Sequence, residues 1–96
     1  MSITAYHFWS PTCGPCKVIK PAVNDLKEEF DQINWVSVDI QNDPQNYTGE
    51  FAVKVVPTIV VLSRESNGKI LYVGKESGTV MSNYYRLIRS GIRAIS

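Results

Sequence analysis

The only two cysteines of the chain lie three residues apart, in the segment Cys13-Gly14-Pro15-Cys16. An aromatic, β-branched stretch precedes them and a run with helical spacing follows, so the pair is predicted to lie where a strand ends and a helix begins. A thiol at that place faces unpaired backbone N–H groups and the positive end of the helix dipole, and both favour the thiolate. Lowering a cysteine pKa from about 8.5 to about 7 makes roughly half of the thiol nucleophilic at pH 7. The second cysteine could then close a disulfide, so the pair indicates thiol–disulfide exchange.

A zinc site is the other chemistry that two closely spaced cysteines allow. Zinc in proteins takes about four ligands, whereas this chain offers two cysteines and one histidine. A metal site within one copy of the chain is therefore not expected. Only a site shared between two copies would supply enough ligands.

Size and composition predict one small domain over residues 1–96, with 44% hydrophobic and 20% charged residues. The net charge of +1 gives no electrostatic footprint for nucleic acid. No apolar run reaches the ~18–20 residues of a membrane span, and the N-terminus lacks the basic and apolar regions of a signal peptide. We therefore expect a cytoplasmic protein that binds neither nucleic acid nor membrane. In that reducing compartment a Cys-x-x-Cys pair is usually catalytic or metal-binding.

Hydrophobic patterning predicts the element order β-α-β-α-β-β-α. The strands are predicted at Ile3–Trp9, Asn34–Ile40, Thr58–Ser63 and Lys69–Val73. The first helix is predicted at Cys13–Phe30 and the second from Asp43-Pro44 to about Phe51. The last helix is predicted to follow a cap at Ser77 or Thr79, and its buried face is predicted to hold Val80, Tyr84, Leu87, Ile88 and Ile92. The initial βαβ unit implies parallel strands, and Asn67-Gly68 predicts the turn of an antiparallel hairpin. The fold class is therefore α/β, a mixed four-stranded sheet with helices on both faces.

The sequence resembles the thioredoxin family in Phe8-Trp9 leading to Cys13-Gly14-Pro15-Cys16-Lys17, in Val56-Pro57-Thr58 and in Gly74. The resemblance covers nearly the whole chain and implies a thioredoxin-like fold in which the usual N-terminal strand and helix are absent. It also implies that Pro57 is cis and faces the active-site disulfide. Val56 would offer its main-chain N–H and C=O to an extended substrate, in the manner of strand addition, and Gly74 would belong to the same substrate-binding surface.

The resemblance assigns the chemistry to Cys13 and Cys16. Cys13 is the predicted attacking thiolate and is expected to be exposed, whereas Cys16 is the resolving thiol that attacks the mixed disulfide. The predicted active-site loop comprises Trp9, Thr12, Gly14 and Pro15. Trp9 is expected to pack beneath the site, and the Gly-Pro dipeptide resembles that of the strongly reducing members.

Three positions depart from the family pattern. Thr12 stands where a second tryptophan usually precedes the first cysteine, and His7 stands where the buried acidic residue usually lies. The lysine that pairs with that acid falls near Ser37. Two hypotheses follow for His7: it accepts the proton of Cys16 during resolution, or it is a buried neutral histidine bonded to backbone or water.

The resemblance implies a protein-disulfide reductase that works through a reversible Cys13–Cys16 disulfide, with no bound cofactor or metal. A thioredoxin-reductase-type electron donor would reduce it again, drawing indirectly on NADPH. Its clients would be disulfide-containing proteins, and it would act as a monomer. Two alternatives remain open: a disulfide oxidase or isomerase, and a non-catalytic binding module that keeps the fold.

Overall fold

The computed structural model describes residues 1–96 and consists of four strands and three helices. In chain order these are β1 (Ser2–Trp9), α1 (Gly14–Glu29), β2 (Asn34–Asp39), α2 (Tyr47–Glu50), β3 (Thr58–Arg64), β4 (Ile70–Ser77) and α3 (Met81–Arg93). This order is the one that the sequence predicts. None of the helices combines the length and the apolar character that crossing a membrane requires.

The strands form one mixed sheet in the order β2-β1-β3-β4. β1 runs parallel to β2 and antiparallel to β3, and β4 is antiparallel to β3. Because β1 and β2 are parallel, both end at the same edge, with Trp9 beside Asp39. β3 begins at that edge, since Thr58 lies opposite Phe8. The topology therefore brings together the loop after β1, the loop after β2 and the residues before β3.

The helices cover both faces of the sheet, which confirms the predicted architecture. The larger core lies between one face and the helices α1 and α3, and its ten buried residues are Ile3, Ala5, Ile19, Val23, Leu26, Ile59, Val61, Tyr84, Leu87 and Ile88. On the other face a smaller cluster of Phe8, Val38 and Val60 packs against Tyr47 and Phe51 of the α2 region. Successive residues of β1 point to opposite faces, so β1 contributes to both clusters.

The second helix begins later than the sequence predicts. Its N-cap is Asn46, in the left-handed conformation, and not Asp43 followed by a proline at the first helical position. Asp43 instead accepts hydrogen bonds from the backbone N–H groups of Tyr47 and Thr48, at 3.2 and 2.7 Å, and from the Thr48 hydroxyl. The carboxylate thus satisfies N–H groups at the helix start from one turn upstream, which explains why the local sequence resembles a cap.

The last strand and helix also differ from the prediction. β4 runs to Ser77 and not only to Val73, because β3 provides pairing partners along its whole length up to Thr58. Ser77 therefore lies in the sheet, and the N-cap of α3 is Val80, which forms no side-chain cap hydrogen bond. The side chain of Val80 is 57% exposed, so its predicted place on the buried face of α3 is wrong.

Candidate active site

The two cysteines lie at the start of α1, at the edge of the sheet where the three loops meet. Cys13 is the N-cap of the helix, and Pro15 occupies its first turn. Proline is tolerated there because the backbone N–H that it lacks would have no intrahelical partner. Cys13 and Cys16 form a disulfide with their Cα atoms 5.3 Å apart. Cys16 is buried, whereas Cys13 is only partly buried and is the more accessible of the two sulfurs. Cys13 is thus less exposed than the sequence predicts.

The helix start provides a polar contact to the accessible sulfur. The backbone N–H of Cys16 donates to Sγ of Cys13 over 3.1 Å. There is no acidic side chain in the first turn of α1 to oppose a negative charge. When the disulfide is reduced, the same N–H and the helix dipole stabilise a thiolate on Cys13. The geometry therefore favours a thiolate on Cys13, the residue predicted to be the nucleophile of the pair.

The peptide bond between Val56 and Pro57 is cis, the configuration expected from the sequence. The carbonyl oxygen of Val56 lies 3.8 Å from Sγ of Cys13. The turn before the proline is closed by the hydroxyl of Thr58, which donates to the carbonyl oxygen of Val55 over 2.7 Å. Main-chain polar groups are thus held directly beside the reactive sulfur.

Two residues from the C-terminal part of the chain, Gly78 and Tyr84, contact the main chain of Pro57 through hydrogen bonds. The N–H of Gly78 donates to the carbonyl oxygen of Pro57 over 3.0 Å. The buried hydroxyl of Tyr84 lies within hydrogen-bond distance of the carbonyl oxygens of both Pro57 and Gly78. Gly78 has a φ of 106°, which strongly favours glycine over a residue with a Cβ. These contacts link α3 and the end of β4 to the reactive sulfurs.

The loop before Cys13 is fixed by a side chain from the segment after β2. Nε2 of Gln41 donates to the hydroxyls of Ser10 and Thr12, at 3.0 and 3.1 Å, and these two hydroxyls lie 3.0 Å apart. The backbone N–H of Cys13 donates to the carbonyl oxygen of Ser10. Thr12, which replaces an aromatic residue of the family pattern, therefore ties the loop through hydrogen bonds.

A cavity of about 420 Å³ lies on the other side of the disulfide, between α1 and the β1–β2 part of the sheet. Its lining residues are His7, Trp9, Ser10, Pro11, Cys16, Lys17, Lys20, Asn24, Lys27 and Ser37. Trp9 and Cys16 thus line the same cavity, and the indole N–H of Trp9 donates to the hydroxyl of Ser37 over 2.7 Å.

His7 is 8% exposed and lines the same cavity as Cys16. Neither ring nitrogen has a hydrogen-bond partner in the protein, so of the two partners named in the second hypothesis, backbone and water, the backbone forms no bond to His7. Burial lowers the pKa of His7 to about 4, and the positive charge of Lys27 acts in the same direction. The imidazole is therefore neutral at pH 7. It shares the cavity with Cys16, and no hydrogen bond within the protein fixes the orientation of its ring.

Gly74 is the one predicted site residue that the structure does not bring to the sulfurs. It lies on β4 opposite Val61, three strand residues or roughly 10 Å from Thr58. A Cβ at this position would collide with Leu87 of α3 and with the ring of Tyr72. Gly74 therefore permits α3 to pack closely on the sheet, and Gly78 is the glycine that reaches the site.

No group of three or more His, Cys, Asp or Glu side chains is placed to hold a metal ion. The chemistry available at the site is that of the two sulfurs, the main-chain groups around Pro57 and the neutral imidazole of His7.

Comparison with known proteins identifies the thioredoxin family, whose sequence profile matches residues 3–86. The thioredoxin of Bacillus subtilis is 39% identical over 56 residues, which are 57% of this chain and 53% of that protein. The thioredoxin of Haemophilus influenzae is 32% identical over 80 residues, which are 80% of this chain and 71% of that protein. The chain thus aligns with about half the length of the Bacillus subtilis thioredoxin. The crystal structure of thioredoxin from Trypanosoma brucei brucei has a TM-score of 0.77 at 25% identity, covering 96% of this chain and 76% of that one.

Proposed function

This chain belongs to the thioredoxin family, and we propose that it reduces protein disulfides by dithiol exchange through Cys13 and Cys16. The observation that carries the proposal is the position of the disulfide, with the accessible sulfur at a helix start and beside the cis-Pro57 segment. An accessible sulfur with a stabilised thiolate, next to a second cysteine, is the arrangement that thiol–disulfide exchange requires.

The reaction consists of two exchanges. The Cys13 thiolate attacks one sulfur of a client disulfide, the client S–S bond breaks, and the released client thiolate takes a proton. Cys16 then loses its proton and attacks Sγ of Cys13 in the mixed disulfide. The Cys13–Cys16 bond forms, and the second client sulfur leaves as a thiolate that is protonated in turn. The net result transfers two electrons from the protein to the client. Of the two protons that the client takes up, Cys16 gives up one and solvent supplies the other, because Cys13 reacts as a thiolate.

The client segment binds along the main chain at Val56. The carbonyl oxygen of Val56 lies 3.8 Å from the attacking sulfur, so a backbone N–H beside a client cysteine can bond to it while the sulfurs meet. Short strand addition of this kind recognises backbone and tolerates many side chains. The exposed side chain of Val55 adds apolar surface next to this contact. We therefore expect the site to accept extended or unfolded client segments.

His7 acts as the proton acceptor for Cys16 in this proposal. The two side chains line one cavity, and a neutral imidazole has one unprotonated nitrogen. The low pKa makes the ring a weak base, so the proton resides on it only during the attack. Replacing His7 with Gln keeps a polar side chain but removes the base, and replacing it with Asp restores the acidic residue of the family pattern. Rates of mixed-disulfide resolution that are equal in all three proteins would contradict this role.

The electron donor, the cellular location and the oligomeric state complete the proposal. A thioredoxin reductase drawing on NADPH would reduce the Cys13–Cys16 disulfide again, in the cytoplasm and with the protein as a monomer. Oxidation of NADPH in a mixture of this protein, a thioredoxin reductase and insulin tests the donor. A mixture in which the Cys13→Ser variant replaces the protein is the control, and it should show no turnover.

The direction of the reaction is tested by the reduction potential of the cysteine pair, measured in dithiothreitol buffers. A value near about −270 mV supports a reductase, and values toward about −180 or −120 mV would make the protein an isomerase or an oxidase instead. The Cys16→Ser variant should accumulate the mixed disulfide with a client, because the resolving step is lost. If the unmodified protein and its Cys13→Ser variant bind clients equally well, and the unmodified protein reduces none of them, the chain is a binding module.

A further inference from the structure

The cavity beside Cys16, here called the lysine cavity, concentrates positive charge. Lys17, Lys20 and Lys27 line it from α1, and Asn24 lies between them at the same helical spacing. No carboxylate lines the lysine cavity. Three lysine side chains therefore line one concave surface that no carboxylate lines.

The lysines and the histidine affect one another through this space. Lys27 is partly buried, and its pKa is lowered by burial and then by the charge of Lys20. The same Lys27 charge contributes to keeping His7 neutral. Like charges held together at a partly desolvated place are unfavourable unless a counter-charge is present. A negative ligand would relieve the repulsion between Lys20 and Lys27.

Neutral groups of the lysine cavity add hydrogen-bond donors. The hydroxyl of Ser37 already accepts the indole N–H of Trp9, so its own proton is free to donate to a ligand. Asn24 contributes an amide. His7 is more than nine-tenths buried, and neither of its ring nitrogens has a protein partner. Ammonium, hydroxyl and amide donors around one recess are the groups that bind an oxyanion.

We infer that the lysine cavity binds an oxyanion, carried by the phosphate or carboxylate group of a small molecule. This goes beyond the disulfide reduction proposed above, because the binding needs no sulfur chemistry. The volume of about 420 Å³ accommodates a small molecule. The recess borders the buried Cys16, whereas a client disulfide meets Cys13 on the Val56 side. The geometry thus favours a small anion over a client protein.

The test is a titration of the oxidised protein with inorganic phosphate at pH 7, at ionic strength held constant with KCl. The readouts are the NMR signals of the Trp9 indole N–H and of the His7 ring, which is the only histidine of the chain. Saturable shifts of both signals are expected. A parallel titration with acetate distinguishes the two sources of the oxyanion: saturation by phosphate alone assigns a phosphate group, and saturation by both assigns a carboxylate as well.

Variants locate the binding. Lys20→Gln and Lys27→Met should each weaken phosphate binding about tenfold, because each removes a charge-assisted hydrogen bond. Lys69→Gln, an exposed lysine of the β3–β4 turn, is the matched control and should leave the affinity unchanged. The absence of saturable shifts, equal shifts in KCl alone, or an unchanged affinity in the Lys20→Gln/Lys27→Met double variant would overturn the inference.

Insulin reduction by the same variants is measured separately, so a failure of the proposed reductase activity is distinguishable from a failure of anion binding. If phosphate does not bind but the reduction of acidic clients depends on Lys20 and Lys27, the lysine cavity is a client surface, and the small-anion inference is wrong.

Discussion

The backbone N–H of Cys16 donates a hydrogen bond to Sγ of Cys13 over 3.1 Å. Cys16, the predicted resolving residue, thus contacts the predicted attacking sulfur through its main chain. The contact depends on Cys13 being the N-cap of α1, because only there does a side chain face the N–H groups of the first turn.

In the reduced protein we expect the pKa of the Cys13 thiol to lie below that of a free cysteine, because the N–H groups and the dipole at the start of α1 stabilise its thiolate. Cys16 is buried and should be alkylated much more slowly. The rate of iodoacetamide alkylation as a function of pH, with the modified residue identified by mass spectrometry, measures both. The Cys13→Ser and Cys16→Ser variants assign each rate, and equal rates for the two thiols would contradict the expectation.

Replacing Tyr84 with Phe should destabilise the protein by about 1–3 kcal/mol, because it removes a buried donor from the carbonyl oxygens of Pro57 and Gly78. Burial raises the pKa of Tyr84 to about 12, with a smaller contribution from Glu76. The phenol therefore keeps its proton, and remains a donor, throughout the ordinary pH range. Urea unfolding measures the loss, and slower insulin reduction should accompany it.

Tyr85→Phe is the control for this substitution. Its hydroxyl bonds to the carboxylate of Glu29 at an exposed position, so the change in the free energy of unfolding should stay within about 0.5 kcal/mol. Losses of equal size in the two variants would show that the support of the Pro57 segment by Tyr84 is not special.

The reactive centre could be predicted from the sequence because its parts are local. Cys13, Pro15 and Cys16 share one helix start, and the spacing of apolar residues after them predicts α1 almost to its last residue. The place of Pro57 came from a resemblance of its flanking residues, and the structure has the expected cis bond.

The long-range hydrogen bonds that hold the site in place could not be predicted from the sequence, because they depend on which strands pair. Gln41 reaches Ser10 across 31 positions and Tyr84 reaches Pro57 across 27. No periodic pattern within one segment encodes such contacts. The sequence pattern does not predict the end of β4 for the same reason, since pairing with β3 extends that strand to Ser77. The sequence signal for Gly78 is a glycine between a strand and a helix, whereas the family resemblance points to Gly74.

Gly91 of α3 packs closely against the sheet, since a Cβ there would lie 2.6 Å from Cγ1 of Val61. The buried hydroxyl of Ser63 also donates to the carbonyl oxygen of Gly91. Overpacking of this kind costs about 1–3 kcal/mol, whereas alanine is the better helix former by about 1 kcal/mol. The difference between these two terms predicts that Gly91→Ala lowers the free energy of unfolding, measured in urea, by up to about 2 kcal/mol. Ser90→Ala, whose hydroxyl is exposed, should change it by less than about 0.5 kcal/mol.

The pKa of His7 makes stability depend on pH in a defined window. The folded-state pKa is about 4 and the ordinary value is 6.5, so between these values the unfolded chain binds the proton more tightly. The contribution of the neutral ring is fully present above about pH 6.5 and is lost as the pH falls toward 4. The difference between the two pKa values corresponds to a contribution of roughly 3 kcal/mol to the free energy of unfolding. His7→Leu removes the titrating group and leaves every carboxylate in place. Both proteins should lose unfolding free energy when the pH falls from 7.5 to 4.5. This loss should be roughly 2–3 kcal/mol smaller in the variant than in the unmodified protein. Urea unfolding at the two pH values measures this difference, and the same pH-dependent loss in both proteins would mean that His7 takes up its proton without a cost to the fold.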